Sequence, residues 1–322
     1  MPNGPKYFVV GGAGFIGSHL TDRLVARGTV TIYDNLTIGK RDFVADALAS
    51  GRATLVQADA LDLESLVRAI EGHDVVFHLA ANPEARWGLD NPRLDLEQGT
   101  IATHNVLEAA RRTGVPRFVL ASSGTVYGDT AASCREDGLG SLPISLYGAS
   151  KLAGEALVSA YVECFDLRAL IFRFGNVVGP RGTHGAALDF LKKLQKSEVE
   201  LEVLGDGNQS KPYVHVSDCV DAILYGLDNA QARLDIFNIA PPDATSVRRI
   251  AELCVKASPY PNAAIRYTGG DRGWRGDVPH SRLDAGKLAA LGWKTRKTSD
   301  EAVGAAIAAL AVEVFGERAK LG

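Results

Sequence analysis

Tyr147 and Lys151 are the pair of residues in this chain with the clearest chemical potential. They stand four positions apart in a stretch rich in small residues, 146–165, which predicts a helix, so both side chains share one helix face. A free phenol has a pKa of about 10 and serves as a base near neutral pH only where a cation stabilises the phenolate. The pair therefore predicts a Tyr147 base whose pKa is lowered by Lys151. Since YxxxK also arises by chance, its meaning depends on the surrounding elements.

A cluster of hydroxyl groups follows the predicted strand 118–121. The run Ser122-Ser123-Gly124-Thr125 stands at the carboxyl end of that strand, and open α/β sheets bind their ligands at this edge. A hydroxyl in this place reaches both a substrate and the phenol of Tyr147. A polar turn is the alternative, and the presence of Tyr147 and Lys151 favours the catalytic interpretation.

Three glycines follow the first predicted strand and open a helix. Gly11, Gly14 and Gly17 have the spacing GxxGxxG, in which glycine permits a tight turn and a close approach of the backbone to a pyrophosphate at the helix N-terminus. The second predicted strand ends in Asp34, whose carboxylate can accept hydrogen bonds from ribose hydroxyls and would repel a 2′-phosphate. NAD is therefore the predicted cofactor, although Asp34 capping a turn is the alternative. Asp59, after the third strand, either meets the adenine or serves as a turn or N-cap residue.

Apolar runs and amphipathic stretches alternate through the first half of the chain. Strands are predicted at 7–10, 30–33, 54–57, 75–79, 118–121 and 170–174, and helices at 17–27, 63–70, 99–113 and 146–165. This order predicts an α/β fold with a doubly wound parallel Rossmann sheet of six or seven strands.

After residue 176 the sequence pattern changes, and loops rich in glycine and proline are predicted. Helices are predicted there at 187–195, 247–257 and 301–315, and 213–227 reads as a strand followed by a helix. We expect an NAD-binding Rossmann domain at 1–175 plus about 213–240. A smaller C-terminal α/β domain at about 176–212 and 241–322 is expected to bind the substrate.

Composition excludes several classes of function. The 322 residues carry a net charge of −3, which gives no basic field for nucleic acid or anionic lipid, so we expect neither partner. The apolar start at 7–15 runs into glycines without a basic leader, which favours a strand over a signal peptide and a soluble, cytoplasmic protein. The four cysteines and seven histidines show no metal-ligand spacing, and no metal is predicted.

A set of ordered motifs resembles the extended short-chain dehydrogenase/reductase family, and within it the UDP-glucose (UDP-galactose) 4-epimerases. The matching segments are GGAGFIGSHL from Gly11, Asp34-Asn35-Leu36, His78-Leu79-Ala80-Ala81, SSGTVYG from Ser122, Tyr147-Gly-Ala-Ser-Lys151, Arg173-Phe-Gly-Asn176 with its continuation to Arg181, Gly205-Asp-Gly-Asn-Gln209, Tyr213-Val-His-Val-Ser-Asp218, and Asp284-Ala-Gly-Lys287 followed by Leu291-Gly-Trp293. They run through almost the whole chain.

The resemblance implies 4-epimerisation of a UDP-hexose: NAD oxidises C4, and the 4-keto sugar turns over and takes the hydride back on its other face. It implies Ser123, Tyr147 and Lys151 as catalytic residues. Implied NAD contacts are Gly11, Gly14, Phe15, Ile16, Gly17, Asp34, Asn35, Asp59, Ala60, Leu79, Ala80, Ala81, Ser122, Tyr147, Lys151 and Phe174. Implied substrate contacts are Ser123, Thr125, Asn176, Val203, Lys211, Tyr213, and Arg272 or Arg275, which do not align uniquely.

Residues 124 and 125 separate the epimerases from two related classes. The 4,6-dehydratases carry an acid and a base there and the decarboxylases a glutamate, whereas Gly124 and Thr125 cannot transfer a proton at neutral pH. A glucuronate substrate stays open if Arg86 pairs with its carboxylate. A non-catalytic NAD-binding scaffold is the alternative from another class.

Departures from the family pattern predict a permissive pocket. Gly99 stands where relatives have an asparagine, Gly175 is smaller than the usual residue, and both are expected to enlarge the pocket. Ser281 falls near the position that gates N-acetylated sugars, so UDP-GlcNAc and UDP-glucose are both expected to react. The resemblance further implies a homodimer through the helices 99–113 and 146–165.

Overall fold

The structure, a computed structural model, describes residues 4–130, 132–138 and 141–320. Its strands are β1 Lys6–Val10, β2 Thr29–Asp34, β3 Ala53–Gln57, β4 Val75–His78, β5 Arg117–Ser123, β6 Arg168–Phe174, β7 Asn176–Val178, β8 Glu200–Val203, β9 Ser210–Lys211, β10 Tyr213–His215, β11 Leu234–Ile239, β12 Thr245–Ser246 and β13 Ala264–Tyr267.

The α-helices are α1 Phe15–Leu24, α2 Ala45–Ala49, α3 Leu63–Ile70, α4 Trp87–Asp90, α5 Pro92–Asp95, α6 Ala102–Thr113, α7 Leu146–Cys164, α8 Ala186–Lys196, α9 Val216–Asn229, α10 Val247–Ala257, α11 Gly286–Ala290 and α12 Ser299–Phe315. A π-helical stretch, Leu96–Ile101, joins α5 to α6. The predicted helix 99–113 is thus the end of this stretch plus α6.

Seven strands form the central sheet in the order β11-β6-β5-β4-β1-β2-β3. The pairs from β3 through β2, β1 and β4 to β5 are parallel, as the predicted Rossmann sheet requires. The strand order reverses between β1 and β4, and ligands of such sheets bind at the carboxyl ends of the strands beside that point. The predicted fold class is confirmed.

The residues group into two compact units. The first comprises Met1–Val126, Leu146–Arg173 and Ile223–Phe237, and the second comprises Tyr127–Ser145, Phe174–Ala222 and Asn238–Gly322. The segments 127–145 and 213–222 therefore group with the second unit, whereas the sequence-based division placed them in the first. The functions assigned to the two domains stay predictions.

Each unit has its own apolar core. In the first unit Phe8, Val76, Phe118 and Ile171, from four neighbouring strands, belong to a fully buried cluster that includes Val106 and Val158 of the covering helices. In the second unit α8, α10 and α12 pack together around buried residues such as Leu191, Cys254 and Ile307. Burial of these side chains supplies the main favourable term of folding.

Helix α7, which carries Tyr147 and Lys151, is fastened to the sheet by a buried ion pair. Glu155, one turn beyond Lys151, receives hydrogen bonds from the guanidinium of Arg173 on β6, and both side chains are about 5% exposed or less. The hydroxyl of Ser122 on β5 also donates to Glu155. Three elements therefore converge on one carboxylate, which fixes the rotation of α7.

Loss of this carboxylate is expected to destabilise the fold strongly. Glu155→Ala leaves the Arg173 guanidinium buried and uncompensated, which should lower the free energy of unfolding by about 3–5 kcal/mol. Urea denaturation followed by circular dichroism measures the effect. The control is Arg27→Ala, which breaks an exposed pair with Asp228 and should cost about 1 kcal/mol or less. Equal losses in the two variants would contradict this account of α7.

Candidate active site

The glycine-rich turn lies at the carboxyl end of β1. Gly11 has a φ of 77°, and a Cβ there would come 2.6 Å from the backbone nitrogen of Ala80, so only glycine permits this approach. Gly14 is the N-cap of α1 and offers no side-chain hydrogen bond to the helix. The N–H groups of the first turn of α1, on Phe15, Ile16 and Gly17, therefore remain available to an anion. This cradle fits the pyrophosphate of a dinucleotide.

Asp34 ends β2 and is held beside the glycine-rich turn. Its two carboxylate oxygens accept hydrogen bonds from the N–H of Ala13 at 3.0 Å and of Leu36 at 2.8 Å. Burial raises its pKa, which these two hydrogen bonds oppose. Each oxygen keeps a lone pair for a further donor, so the carboxylate is placed to accept ribose hydroxyls.

The remaining predicted NAD contacts lie on the first unit, apart from Phe174, which ends β6 and is buried. Asn35 and Asp59 are joined by a hydrogen bond of 3.0 Å, and Asp59 also accepts from the N–H of Leu61, as a turn residue does. Ala60 is buried, and its carbonyl accepts from Asn105. Leu79, Ala80 and Ala81 follow β4 and are half-buried beside the glycine-rich turn. Their contacts with NAD stay predictions.

Ser123, Thr125 and Tyr147 form a hydroxyl cluster at the end of β5. The Ser123 Oγ accepts two hydrogen bonds from Thr125, one from its N–H at 3.2 Å and one from its hydroxyl at 3.0 Å. The Ser123 proton therefore remains free to be donated. Ser123 also hydrogen-bonds to the phenol of Tyr147, which lowers the pKa of that phenol. Thr125 thus orients Ser123 towards Tyr147.

Lys151 lies close to the ring of Tyr147. Its Nζ donates to the carbonyl of Ala121 at 2.8 Å and stands 5.8 Å from the centre of the Tyr147 ring. Burial raises the pKa of Tyr147 to about 12 and lowers the pKa of Lys151 to about 8. The predicted lowering of the Tyr147 pKa by Lys151 stays a prediction, and burial of the phenol opposes it.

Ser122 faces the interior of the first unit. Its hydroxyl is committed to Glu155 and the residue is 2% exposed, so its side chain supports the sheet rather than a ligand. The predicted NAD contact of Ser122 therefore has no support from its side chain. Ser122 and Ser123 are adjacent and identical in type, so the sequence does not indicate that their hydroxyls bind different partners.

Two buried polar groups near Lys151 were not predicted. Asp95, at the end of α5, is 1% exposed, and one of its oxygens has no hydrogen-bond partner among the described residues. His78, at the end of β4, holds the Thr103 hydroxyl through Nε2 at 3.0 Å. Because Thr103 donates its own proton to the Gly99 carbonyl, His78 carries its proton on Nε2, and its buried Nδ1 lacks a described partner. Burial lowers the pKa of His78 to about 3, so the ring is neutral.

Gly99 and Gly175 do not enlarge a pocket, which corrects the prediction. A Cβ on Gly99 would collide with the hydroxyl of Ser150, because the π-helical stretch packs closely on α7 at this point. A Cβ on Gly175 would come 2.8 Å from the carbonyl oxygen of Pro212. In both places the missing side chain makes room for neighbouring protein atoms.

Several of the predicted substrate residues of the second unit form a polar group around Asp277. The phenol of Tyr213 hydrogen-bonds to Asn176, which lowers its pKa, but burial and the nearby Asp277 raise that pKa overall. The ammonium of Lys211 lies 2.6 Å from the Asp277 carboxylate. Val203 is fully buried in the apolar core, so its predicted substrate contact has no accessible atoms to make it.

The two candidate arginines differ in their surroundings. Arg272 donates to the carboxylate of Asp129 at 2.7 Å and to the carbonyl of Asp277 at 2.9 Å. Arg275 is exposed and has no ion pair within the part of the chain that the structure describes. Arg86 also has a partner, since its guanidinium forms a two-pronged ion pair with Glu84 at 2.9 and 3.1 Å.

Within residues 4–130, 132–138 and 141–320, no three acidic, histidine or cysteine side chains are placed to hold a metal ion. No helix in the same ranges is long and apolar enough to cross a membrane. The cytoplasmic location stays a prediction.

A parallel sheet with this strand order, a glycine cradle at the start of α1 and a Ser-Tyr-Lys set at the end of β5 define a dinucleotide-dependent oxidoreductase of the short-chain type. Residues 7–240 match the model of the NAD dependent epimerase/dehydratase family. The chain belongs to this family and is an NAD-dependent enzyme.

Individual relatives cover nearly the whole chain. UDP-glucose 4-epimerase of Mycolicibacterium smegmatis is 32% identical over 307 residues, which are 92% of this chain and 96% of that protein. A crystal structure of a UDP-galactose 4-epimerase is 39% identical with a TM-score of 0.86 and covers 96% of this chain and 100% of its own. That of the Thermus thermophilus UDP-glucose 4-epimerase with NAD is 28% identical, with a TM-score of 0.83 and coverages of 95% and 98%. Proteins named as a decarboxylase and a dehydratase are also relatives.

The position of Asp34 predicts a preference for NAD over NADP. Replacing Asp34 by alanine removes the charge that repels a 2′-phosphate. The dissociation constant for NADP divided by that for NAD should therefore fall at least about tenfold, or 1.4 kcal/mol. Calorimetry on protein freed of cofactor measures both constants. Asp46→Ala, an exposed carboxylate on α2, is the control and should leave the ratio unchanged. An unaltered ratio in Asp34→Ala would refute the assignment.

Proposed function

We propose that the enzyme interconverts UDP-hexoses that differ at C4, with UDP-glucose and UDP-galactose as the principal pair. One arrangement carries the proposal. Ser123 hydrogen-bonds to Tyr147 close to Lys151, and positions 124 and 125 carry no titratable side chain. Such a site can exchange one proton and one hydride with a sugar carbon. Positions 124 and 125 supply no second acid or base with which to expel water or assist decarboxylation.

Tyr147 takes the proton of the C4 hydroxyl while the hydrogen on C4 leaves with its electron pair, and the carbon becomes a ketone. Ser123 donates its free proton to the sugar oxygen or to the phenolate and so stabilises either one. Reversal of both transfers on the other face of C4 completes the inversion, and the proton on Tyr147 returns to the sugar. When bound, NAD supplies the acceptor and donor of the hydride and a positive ring that favours the phenolate.

A glucuronate substrate is less well supported. Arg86 is the cationic side chain that we considered as a partner for the glucuronate carboxylate. Its guanidinium already forms an ion pair with Glu84. A substrate carboxylate would have to displace a bidentate partner, which a neutral hexose does not require. A non-catalytic scaffold is also disfavoured, because the hydrogen bonds that orient Ser123 serve no evident purpose in a protein without turnover.

The substrate assignment predicts a definite pattern in a panel of UDP-sugars. UDP-glucose should react, as should UDP-GlcNAc, because a residue as small as Ser281 would leave room for an acetamido group; UDP-glucuronate should not. Nuclear magnetic resonance of the products identifies each epimer. Tyr147→Phe should lower kcat about 10²- to 10⁴-fold, the usual contribution of a general base, while NAD still binds.

Tyr161→Phe is the control on the same helix, since its hydroxyl meets Glu108. It should keep the rate of the unsubstituted enzyme. Undiminished turnover in Tyr147→Phe would remove the proposed mechanism, and failure of UDP-GlcNAc to react would remove the argument from Ser281.

We propose that the second unit binds the UDP portion through Asn176, Lys211, Tyr213 and Arg275. Arg275 is favoured over Arg272 for the diphosphate because Arg272 is held by Asp129. A charge-assisted hydrogen bond contributes about 1.5–3 kcal/mol, so Arg275→Ala should raise KM for the UDP-sugar roughly ten- to 100-fold.

Steady-state kinetics measures this effect, and Arg282→Ala, another exposed arginine of the second unit, is the control. If Arg275→Ala and Arg282→Ala had the same KM, the diphosphate would have to be bound elsewhere.

A homodimer through α6 and α7 is part of the proposal. Ala149, Ala156 and Ala160 are exposed along one face of α7, and Ile101 is exposed at the start of α6. Small exposed residues permit close packing of a second copy. Light scattering should give twice the 34.2 kDa mass of the chain, and Ala156→Glu should give the single mass. A monomeric unsubstituted protein would contradict this assembly.

A further inference from the structure

We propose that Asp95 is a positioning residue that balances the charges of Lys151 and Tyr147 and thereby sets the pH range in which the enzyme works. The proposal rests on the proposed function, since it assumes that Tyr147 must lose a proton and Lys151 must keep one during turnover.

The carboxylate of Asp95 is buried between Asn82 and Gly88. One oxygen accepts from the side-chain amide of Asn82 at 3.0 Å, and Asn82 is itself buried and held by Glu84 through two backbone hydrogen bonds. The other oxygen packs against Gly88, where any Cβ would collide with it. It has no hydrogen-bond partner within the described ranges. A buried polar atom without a partner is costly, so its retention indicates a role other than stability.

The charged neighbours of Asp95 come from α7. Asp95 raises the pKa of Lys151 and also the pKa of Tyr147, which places both groups within its electrostatic reach. Lys151 in turn favours the charged form of Asp95 against the burial that raises the Asp95 pKa. Glu155 also raises the pKa of Lys151, by more than Asp95 does, but its carboxylate is paired with Arg173. Asp95 is the carboxylate near the ammonium that has no cation paired with it among the described residues.

Among the described residues of the elements that pack on Asp95, no other titratable side chain forms an ion pair with its carboxylate. His78 is neutral, as its pKa of about 3 requires. On α4 and α5 the charged residues Asp90 and Arg93 are exposed, and Arg93 pairs with Glu97 of the π-helical stretch. The charge state of the site is thus set by Asp95, Lys151 and Tyr147 together.

Removal of the Asp95 charge has a defined sign for each partner. Without the anion, the ammonium of Lys151 is less favoured, so its pKa falls and activity is lost at a lower alkaline pH. The phenolate of Tyr147 is no longer repelled, so its pKa also falls and activity appears at a lower acidic pH. Both limbs of the pH profile therefore move in the same direction, which a loss of packing alone would not produce.

The test compares Asp95→Asn with the unsubstituted enzyme by two measurements. The profile of kcat/KM against pH should shift on both limbs by roughly one pH unit to lower pH, the size expected of one nearby charge. Nuclear magnetic resonance of protein labelled at the lysine ¹³Cε, without substrate, should show the Lys151 titration shifted likewise, its resonance being identified with Lys151→Met. Asp90→Asn, an exposed carboxylate of α4, should leave both measurements unchanged.

The melting temperature of Asp95→Asn should not fall, because the unpartnered oxygen does not stabilise the fold. If this variant does not fold, Asp95→Ser replaces it as a smaller neutral residue. Unmoved limbs with a uniformly lower rate, or an unmoved Lys151 titration, would overturn the proposal. The Lys151 titration needs no turnover, so it still judges Asp95 if Tyr147→Phe shows that the proposed reaction is wrong.

Discussion

The buried ion pair between Glu155 and Arg173 is the constraint on which the catalytic part of the first unit depends. Residues 147, 151 and 155 follow one another at intervals of four along α7 and so share the face that meets the sheet. Arg173 on β6 and Ser122 on β5 both hydrogen-bond to Glu155, and these contacts fix the rotation of the helix. A buried ion pair adds little net stability compared with apolar packing, but it permits few alternative geometries. The same contact therefore points Tyr147 and Lys151 towards the end of β5.

Burial has opposite consequences for Tyr147 and Lys151, the two residues proposed to take part in the reaction. The phenol of Tyr147 becomes harder to ionise and the ammonium of Lys151 easier to neutralise, since both charged forms lose their hydration. The hydrogen bond with Ser123 partly opposes this effect for the phenol, and the carboxylates of Glu155 and Asp95 partly oppose it for the ammonium. The protein's own residues therefore leave the phenol a poor base. A site of this kind acquires its reactivity together with a positively charged cofactor, which is consistent with membership of an NAD-dependent family.

The sequence predicted the sheet and its ligand-binding edge well, because buried parallel strands are continuous apolar runs and the glycine-rich turn has a strict spacing. It missed β11, because Asp235 and Asn238 interrupt the short apolar run 234–239. It misjudged Gly99 and Gly175 because a glycine in a sequence shows an absent side chain but not which atoms fill the space. It missed Asp95 because an acidic residue between Arg93 and Glu97 is typical of an exposed helix. The burial of the Ser122 and Val203 side chains could not be predicted, since only the fold shows which way a side chain points.

Charge pairing within the second unit bears on the proposal that this unit binds a diphosphate. Asp277 accepts hydrogen bonds from Lys211 and from the N–H of Gly273, while Asp129 holds Arg272. These carboxylates keep the cations ordered but cancel much of their attraction for an anion, so Lys211 and Arg272 act mainly through fixed positions. A phosphate that displaced Asp277 from Lys211 would leave a buried carboxylate without its cation, which is unfavourable. The attraction must then come chiefly from a cation without a fixed partner among the described residues, and Arg275 has this property among the candidates. A single exposed guanidinium beside ordered groups would suit the proposed epimerase, because it would recognise the diphosphate that substrate and product share.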